Sequence, residues 1–412
     1  MHDRPYARIG ERLRHFQAAL EEAGGSLQEY IDEHYVQRWC SDALHRVLRI
    51  RTSLVSGMQD HLVAAGLLNL ERVQLSLVTD PLSHDVEHTP TIDYKGQPYV
   101  TTHSMIYSKF LACHGPGIPG VFVDSPNIRL EIASPEGRQR GRYLIDFSQL
   151  DVEVRRDRGV DLDTYYDRPN QVTAILRNDR DAAIRFFESM FRAGLERVLD
   201  RNDADLEALG VAVELPAGPF PRYDLDEARA RHGPRAVEEK LGRESDSPFF
   251  WIRGLMRENY DLVYPYLRRD GSRRDLFDIP SHDIYNYDLC VKSVVRSTGE
   301  ATPAAEVLSG AVREWLVEPI IARLLDNRVI PEAPVFRNGS ILNIEELGGY
   351  GPFLMVAART DADGRRTFPE TFGGGIGIER ALWALLRGPA VHHIEDVTCF
   401  GKNPDSQPLY LF

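Results

Sequence analysis

Arginines, carboxylates and an aromatic ring recur at strand spacing in two neighbouring stretches. Arg129 and Glu131 stand two apart, as do Phe147, Gln149 and Asp151, and a two-residue period puts each set on one face of a strand. A guanidinium grips a phosphate or carboxylate in two-pronged fashion, and an aromatic ring can stack on a base. The loop between these stretches, SPEGRQRG, adds Arg138 and Arg140, with Arg142 just beyond it. Farther along, Glu306 and Arg313 are seven residues apart with Ser309-Gly310 between them. A strand that bends at Gly310 would bring both ends to one pocket, and a carboxylate near a triphosphate works by holding Mg²⁺. Near the end runs Gly373-Gly374-Gly375-Ile376-Gly377-Ile378-Glu379-Arg380, leading into apolar Ala381 to Leu386. Glycines let a strand approach a ligand closely. An arginine at the start of the next helix sits where backbone N–H groups also receive a phosphate.

The elements that would position these residues can be read from periodicity. Apolar spacing predicts helices over 6–23, 27–40 and 41–65, with Gly24-Gly25 between the first two. Short strands follow at 73–78, 92–94, 98–101 and 121–123, bounded by Pro, Gly and Asp. Residues 129–132 and 143–155 read as an antiparallel hairpin with a long loop. Helices are expected over 180–208, 312–327 and 379–386, and an exposed one over 224–241. Strands are expected at 249–252, 287–291, 354–359 and 373–378. Strand pairs interrupted by helices indicate an α+β fold. With no evident linker, the chain reads as one catalytic domain over 71–412 behind a helical extension over 1–70.

The 412 residues carry a formal charge of −13, with 27% charged and 42% hydrophobic residues. That is an ordinary globular composition, and its acidic balance argues against a broad nucleic-acid surface. Cys40, Cys113, Cys290 and Cys399 form no C-x-x-C pair, which suits a reducing cytoplasm and offers no zinc site. The N-terminus is charged rather than leader-like, and no apolar run has membrane-spanning length.

The glycine-rich stretch with its arginine resembles motif 3 of the class II aminoacyl-tRNA synthetase core, an antiparallel sheet flanked by helices. The hairpin resembles motif 2 of that core, R-x-E … F-x-Q-x-D. Glu306 to Arg313 resembles the E-x-x-S/G-G-x-x-R element of its aspartate and asparagine branch. Asparagine synthetase A and the archaeal synthetase-related asparagine synthetases, built on the same core, have a His-Ser…Lys spacing like His103, Ser104 and Lys109. They also have an Asp-x-Leu-Ser loop like that beginning at Asp80. The resemblance covers roughly 75–400. It implies that Arg129 and Arg380 act on the ATP α-phosphate, with Gln149 beside the reacting carboxylate. Glu131, Phe147, Arg142, Ser309, Gly375 and Gly377 would line the ATP site, and Glu306 with Asp288 would hold Mg²⁺. Asp80, His103, Ser104, Lys109, Gln149, Asp151 and Arg313 would line the aspartate site, Arg313 pairing with the substrate's side-chain carboxylate.

The implied activity is an AMP-forming ligase that activates aspartate, or a close analogue, as an acyl-adenylate and transfers it to ammonia or another small amine. No anticodon barrel is recognisable at the N-terminus, so tRNA is not expected as a partner, and a homodimer is. The chain departs from the pattern in three places. The first motif, Val47 to Pro81, is divergent; Thr371-Phe372 stand where relatives have His-Gly; and 291–305 reads as an insertion. Three alternatives stay open: another acid or amine, a paralogue charging tRNA or a carrier, and a regulatory subunit that binds without turnover.

Overall fold

The computed structural model describes residues 5–82, 88–131, 142–255, 260–404 and 409–412. Arg138 and Arg140 lie outside them. The centre is an eight-stranded sheet. In chain order its strands are β1 (Leu68–Asn69), β2 (Gly120–Ile128), β3 (Asp146–Arg155), β4 (Arg222–Asp224), β5 (Phe249–Arg253), β6 (Asn286–Val291), β7 (Ala305–Val312) and β8 (Thr371–Gly377). They lie side by side as β1-β2-β3-β8-β7-β6-β5-β4. The six inner strands pair antiparallel, and the two short edge strands pair parallel. This is the expected α+β fold, with short parallel pairings added at both edges.

Helices cover one face. The helix α1 (Asp42–Ala64) starts at Ser41, whose hydroxyl accepts from the Leu44 amide. It buries Val47, Ile50, Leu54, Met58 and Leu62. This stripe packs on α2 (Pro169–Ala208), where Gly57 and Gly194 meet. A Cβ at Gly57 would lie 2.7 Å from the Ala193 carbonyl oxygen, so the two backbones approach without side chains between them. The α2 residues Ile184, Phe187 and Phe191 continue the same core beneath the strands. The helix starts eleven residues before the expected 180, because Pro169 occupies its first turn, where the missing N–H costs nothing.

Three other expectations are corrected. Residues 354–359 are not a strand: a helix, α5 below, covers Tyr350–Ala357 and buries Phe353, Leu354 and Ala357. A short apolar run does not distinguish the two states. The expected helix over 224–241 is two helices, α3 (Leu225–His232) and α4 (Val237–Glu244), split at Gly233-Pro234, with Gly233 at φ +81°. It is also not simply exposed. Leu225, Ala228, Val237 and Leu241 form a second core with Phe250, Ile252 and Cys290. The helix expected from 312 begins only at Val317, because β7 runs through Val312. The last two labelled helices are α5 (Tyr350–Ala357) and α6 (Ile378–Leu386). Among the described residues no helix is long and apolar enough to cross a membrane.

Candidate active site

The other face of the sheet carries the polar residues. On β3, Phe147, Gln149, Asp151 and Glu153 share one side by alternation. Across the register, Gln149, Asp151 and Glu153 meet Gly377, Gly375 and Gly373 of β8. Gly375 and Gly373 in turn meet Ser309 and Ala311 of β7, and Ser309 meets Asp288 of β6. The bend expected at Gly310 is absent, since β7 runs unbroken. The odd spacing of Glu306 and Arg313 is reconciled by a β-bulge instead. Leu289 pairs with Leu308 and Cys290 with Glu306, so Val307 is the extra residue. The bulge returns Glu306 to the side of Ser309 and Arg313. The glycines also have a further role. A Cβ at Gly375 would sit 2.6 Å from Asp151 Oδ1, and one at Gly373 would collide with the Glu153 carboxylate. Their open surface is occupied by the chain's own carboxylates.

Phe147, Gln149, Asp151, Asp288, Glu306, Ser309, Arg313, Gly375 and Gly377 line one cavity of about 330 Å³, with Glu153 buried behind it. At one end, Arg129 stacks its guanidinium over the Phe147 ring at 5.2 Å and donates Nε to the His103 carbonyl at 3.0 Å. Arg380, in the first turn of α6, pairs with Glu306 at 2.7 Å and lies over the Tyr143 ring at 5.0 Å. Arg142 pairs with Glu238 of α4 at 2.9 Å. Glu131, Asp288 and Ser309 complete this end. Glu379 accepts the Ser148 amide at 2.9 Å, and its burial pushes its carboxyl above the ordinary range.

At the other end every cation already has a carboxylate. Lys109 Nζ is 3.0 Å from Asp151 Oδ1 and 3.8 Å from Glu153 Oε2. Arg313 is held by Asp261 at 2.7 Å and Glu153 at 3.4 Å, over the rings of Tyr260 and Phe110. Burial opposes the Arg313 charge, but Glu153 and Asp261 together outweigh it and hold its pKa above the usual arginine value. Asp80 accepts hydroxyls from Tyr260 at 2.7 Å and Ser104 at 3.0 Å, and the Leu82 amide at 3.0 Å. Gln149 Oε1 accepts from Asn127 at 2.8 Å.

All the candidate residues line this cavity except His103. Its buried ring turns back, with Nδ1 3.0 Å from the Asp80 carbonyl. Sequence reasoning missed Glu153, Tyr260, Asp261, Asn127 and Glu238. Glu153 was within reach, since it continues the odd-numbered face of β3. Tyr260 and Asp261 lie on an irregular segment with no periodic signal. Among the described residues no three His, Cys, Asp or Glu side chains are grouped as a metal site. Glu306 and Asp288 offer two carboxylates beside the arginines, which fits a Mg²⁺ that takes its other ligands from water and nucleotide phosphates.

The sheet, its glycine strand and the arginine-bearing helix after it define a class II aminoacyl-tRNA synthetase-like core. The asparaginyl-tRNA synthetase of Pyrococcus horikoshii, solved with asparaginyl-adenylate, superposes with a TM-score of 0.61 at 16% identity, over 88% of this chain and 70% of that one. The Entamoeba histolytica aspartyl-tRNA synthetase gives 0.55 at 18% identity, over 87% and 58%. The aspartate–tRNA(Asp) ligase of Thermoplasma volcanium is 20% identical over 361 residues, 87% of this chain and 68% of that protein. No family model matches the chain. At these identities the solved structures establish the fold, and function must be argued from the site.

Proposed function

We propose that the chain is an AMP-forming ligase that activates the carboxylate of an amino acid as an acyl-adenylate and passes the acyl group to an amine. One observation carries this reading. Residues from five separate stretches, chosen for phosphate, base and carboxylate chemistry, converge on one face and one cavity. In the first step a carboxylate oxygen attacks the ATP α-phosphorus, and the bond to pyrophosphate breaks. In this reading Arg129 orients both groups, Phe147 stacks on the base, and Arg380 leaves Glu306 to meet a phosphate oxygen. Mg²⁺ bound through Glu306 and Asp288 would neutralise charge on the phosphates. In the second step the amine attacks the acyl carbon, the bond to AMP breaks, and the amine loses a proton. Aspartate with ammonia, giving asparagine, is one instance of this chemistry, and the homology to aspartate–tRNA ligases supports assaying it.

The test is amino-acid-dependent exchange of labelled pyrophosphate into ATP over a panel of amino acids, followed by AMP release with ammonium. Exchange with at least one acid is expected, and Arg380→Ala should lower it by about 10²–10³-fold with the fold intact. ADP release, or no exchange with any acid, overturns the reading. Charging of tRNA is the second reading, favoured by the relatives' own activity and opposed by the net charge of −13. An aminoacylation assay decides it.

A further inference from the structure

A buried polar network reaches the cavity through one residue. On β2, Ser125 and Asn127 share the face that carries Gln149 on the neighbouring β3, and Ser125 stands opposite Gln149 in the register. Ser125 and Asn127 are both 0% exposed. A side-chain amide closed off from water must have its donors and acceptor matched by the chain. Asn127 Oδ1 accepts the Ser125 hydroxyl at 3.0 Å. Its Nδ2 donates to Gln149 Oε1 at 2.8 Å and lies 3.4 Å from the Ser125 carbonyl oxygen. Of the three, Gln149 lines the cavity and the two β2 residues stand behind it.

The polarity of this network is set from the backbone outward. A carbonyl oxygen only accepts, so the Ser125 carbonyl draws the nitrogen of Asn127 to its side and leaves the Asn127 oxygen to the Ser125 hydroxyl. That nitrogen in turn obliges Gln149 to present its oxygen. The other prong of the Gln149 amide, Nε2, lies against Gly375, where a Cβ would come within 3.2 Å of it, and Gly375 also lines the cavity. Among the described residues Nε2 has no hydrogen-bond partner and is not closed off, so its hydrogens open on the cavity.

We propose that Asn127 is a positioning residue: it holds the Gln149 amide with its N–H groups toward the substrate, so that Gln149 donates to a carboxyl oxygen of the acid being activated. The inference rests on the ligase reading and adds to it a residue that does not touch the substrate. A donor fixed before the acid arrives needs no reorganisation when the acid binds. A glutamine free to turn would present its oxygen as readily as its nitrogen, and that oxygen would repel a carboxylate.

The experiment measures kcat and KM for pyrophosphate exchange, with the amino acid that exchanges fastest in the wild type, in Asn127→Leu, Gln149→Met and the double variant. Asn127→Leu should raise the KM for the acid by roughly five- to tenfold and leave the KM for ATP within about twofold. Gln149→Met should raise the KM for the acid at least as far, and adding Asn127→Leu to it should cost less than about twofold more, because the effect of Asn127 runs through Gln149. Effects that multiply in the double variant give Asn127 a structural role and overturn the proposal, as does an unchanged KM for the acid in Asn127→Leu. If Asn127→Leu misfolds by circular dichroism, Ser125→Ala removes only the hydroxyl that holds the Asn127 oxygen and carries the same test, with an expected rise of about two- to threefold that vanishes in the Gln149→Met background. Each of these failures leaves the ligase reading standing, since wild-type exchange is its measure. Exchange with no amino acid in the wild type overturns both.

Discussion

The two ends of the cavity are built from the same pairing of arginine or lysine with carboxylate, yet they differ in burial. At the Arg380 end the Arg380 and Glu306 side chains are 24% and 16% exposed, and Arg142 and Glu238 are 32% each. At the Lys109 end Lys109 and Asp151 are 2% and 4% exposed, and Arg313 and Asp261 are 5% each. A half-exposed pair contributes little to stability and exchanges partners cheaply, because water compensates the broken contact. A buried pair is costly to part, because each charge is left in a poor solvent. The Arg380 end therefore has side chains that can change partner at little cost. The other end has a fixed wall whose charges choose what fits.

The sharpest challenge to that contrast is Lys109→Met. It leaves Asp151 and Glu153 buried without their lysine, and unfolding in urea should show a loss of about 3–5 kcal/mol. Unchanged stability with lost activity would erase the distinction between the two ends.

A smaller effect is expected from Glu314, which follows Arg313 and is fully buried. Burial pushes its carboxyl up to about 7 from an ordinary 4.5, partly offset by the amides of Leu316 and Trp315 and the Tyr165 hydroxyl. The folded state binds this proton more tightly than the unfolded chain. Stability from this group is therefore full below about pH 4.5 and is lost as pH rises through about 7. Glu314→Gln should match wild type near pH 4 and exceed it at pH 8 by on the order of 2 kcal/mol. Parallel curves across pH would show that this buried position beside Arg313 tolerates an ionised carboxylate without penalty.

The smallest effect belongs to the exposed end. Glu238→Gln frees Arg142, and the KM for ATP in the exchange assay should fall by up to about fivefold with kcat unchanged, in line with a pair contributing about 0.2–1 kcal/mol. A drop in stability of several kcal/mol would place this pair with the buried ones.

Much of the site was legible because strand alternation is a strict rule. Phe147, Gln149 and Asp151 share the face expected of them, and the same count extended once more would have included Glu153. The odd spacing between Glu306 and Arg313 was also a signal. Two residues wanted on one face of a strand but an odd number apart require a bulge, and a bend at Gly310 was the wrong solution. Asp261 and Tyr260 had no such rule to reveal them, since their position depends on tertiary contacts with Arg313 and Asp80. The helix over Tyr350–Ala357 resists a sequence reading for the related reason that its apolar run is too short to show a period. The Gly233-Pro234 pair is a helix-ending signal already present in the sequence.

The extra residue in β7 gives that strand one unit of slack in length. Without Val307, Glu306 and Arg313 would be six positions apart, an even number, and both would still face the cavity on a regular strand. A homologous chain shorter by one residue here would thus keep the same chemistry. A second loss has no bulge to absorb it. It would turn Glu306 through the sheet toward the side where Phe187 packs against Gly374, away from Arg380.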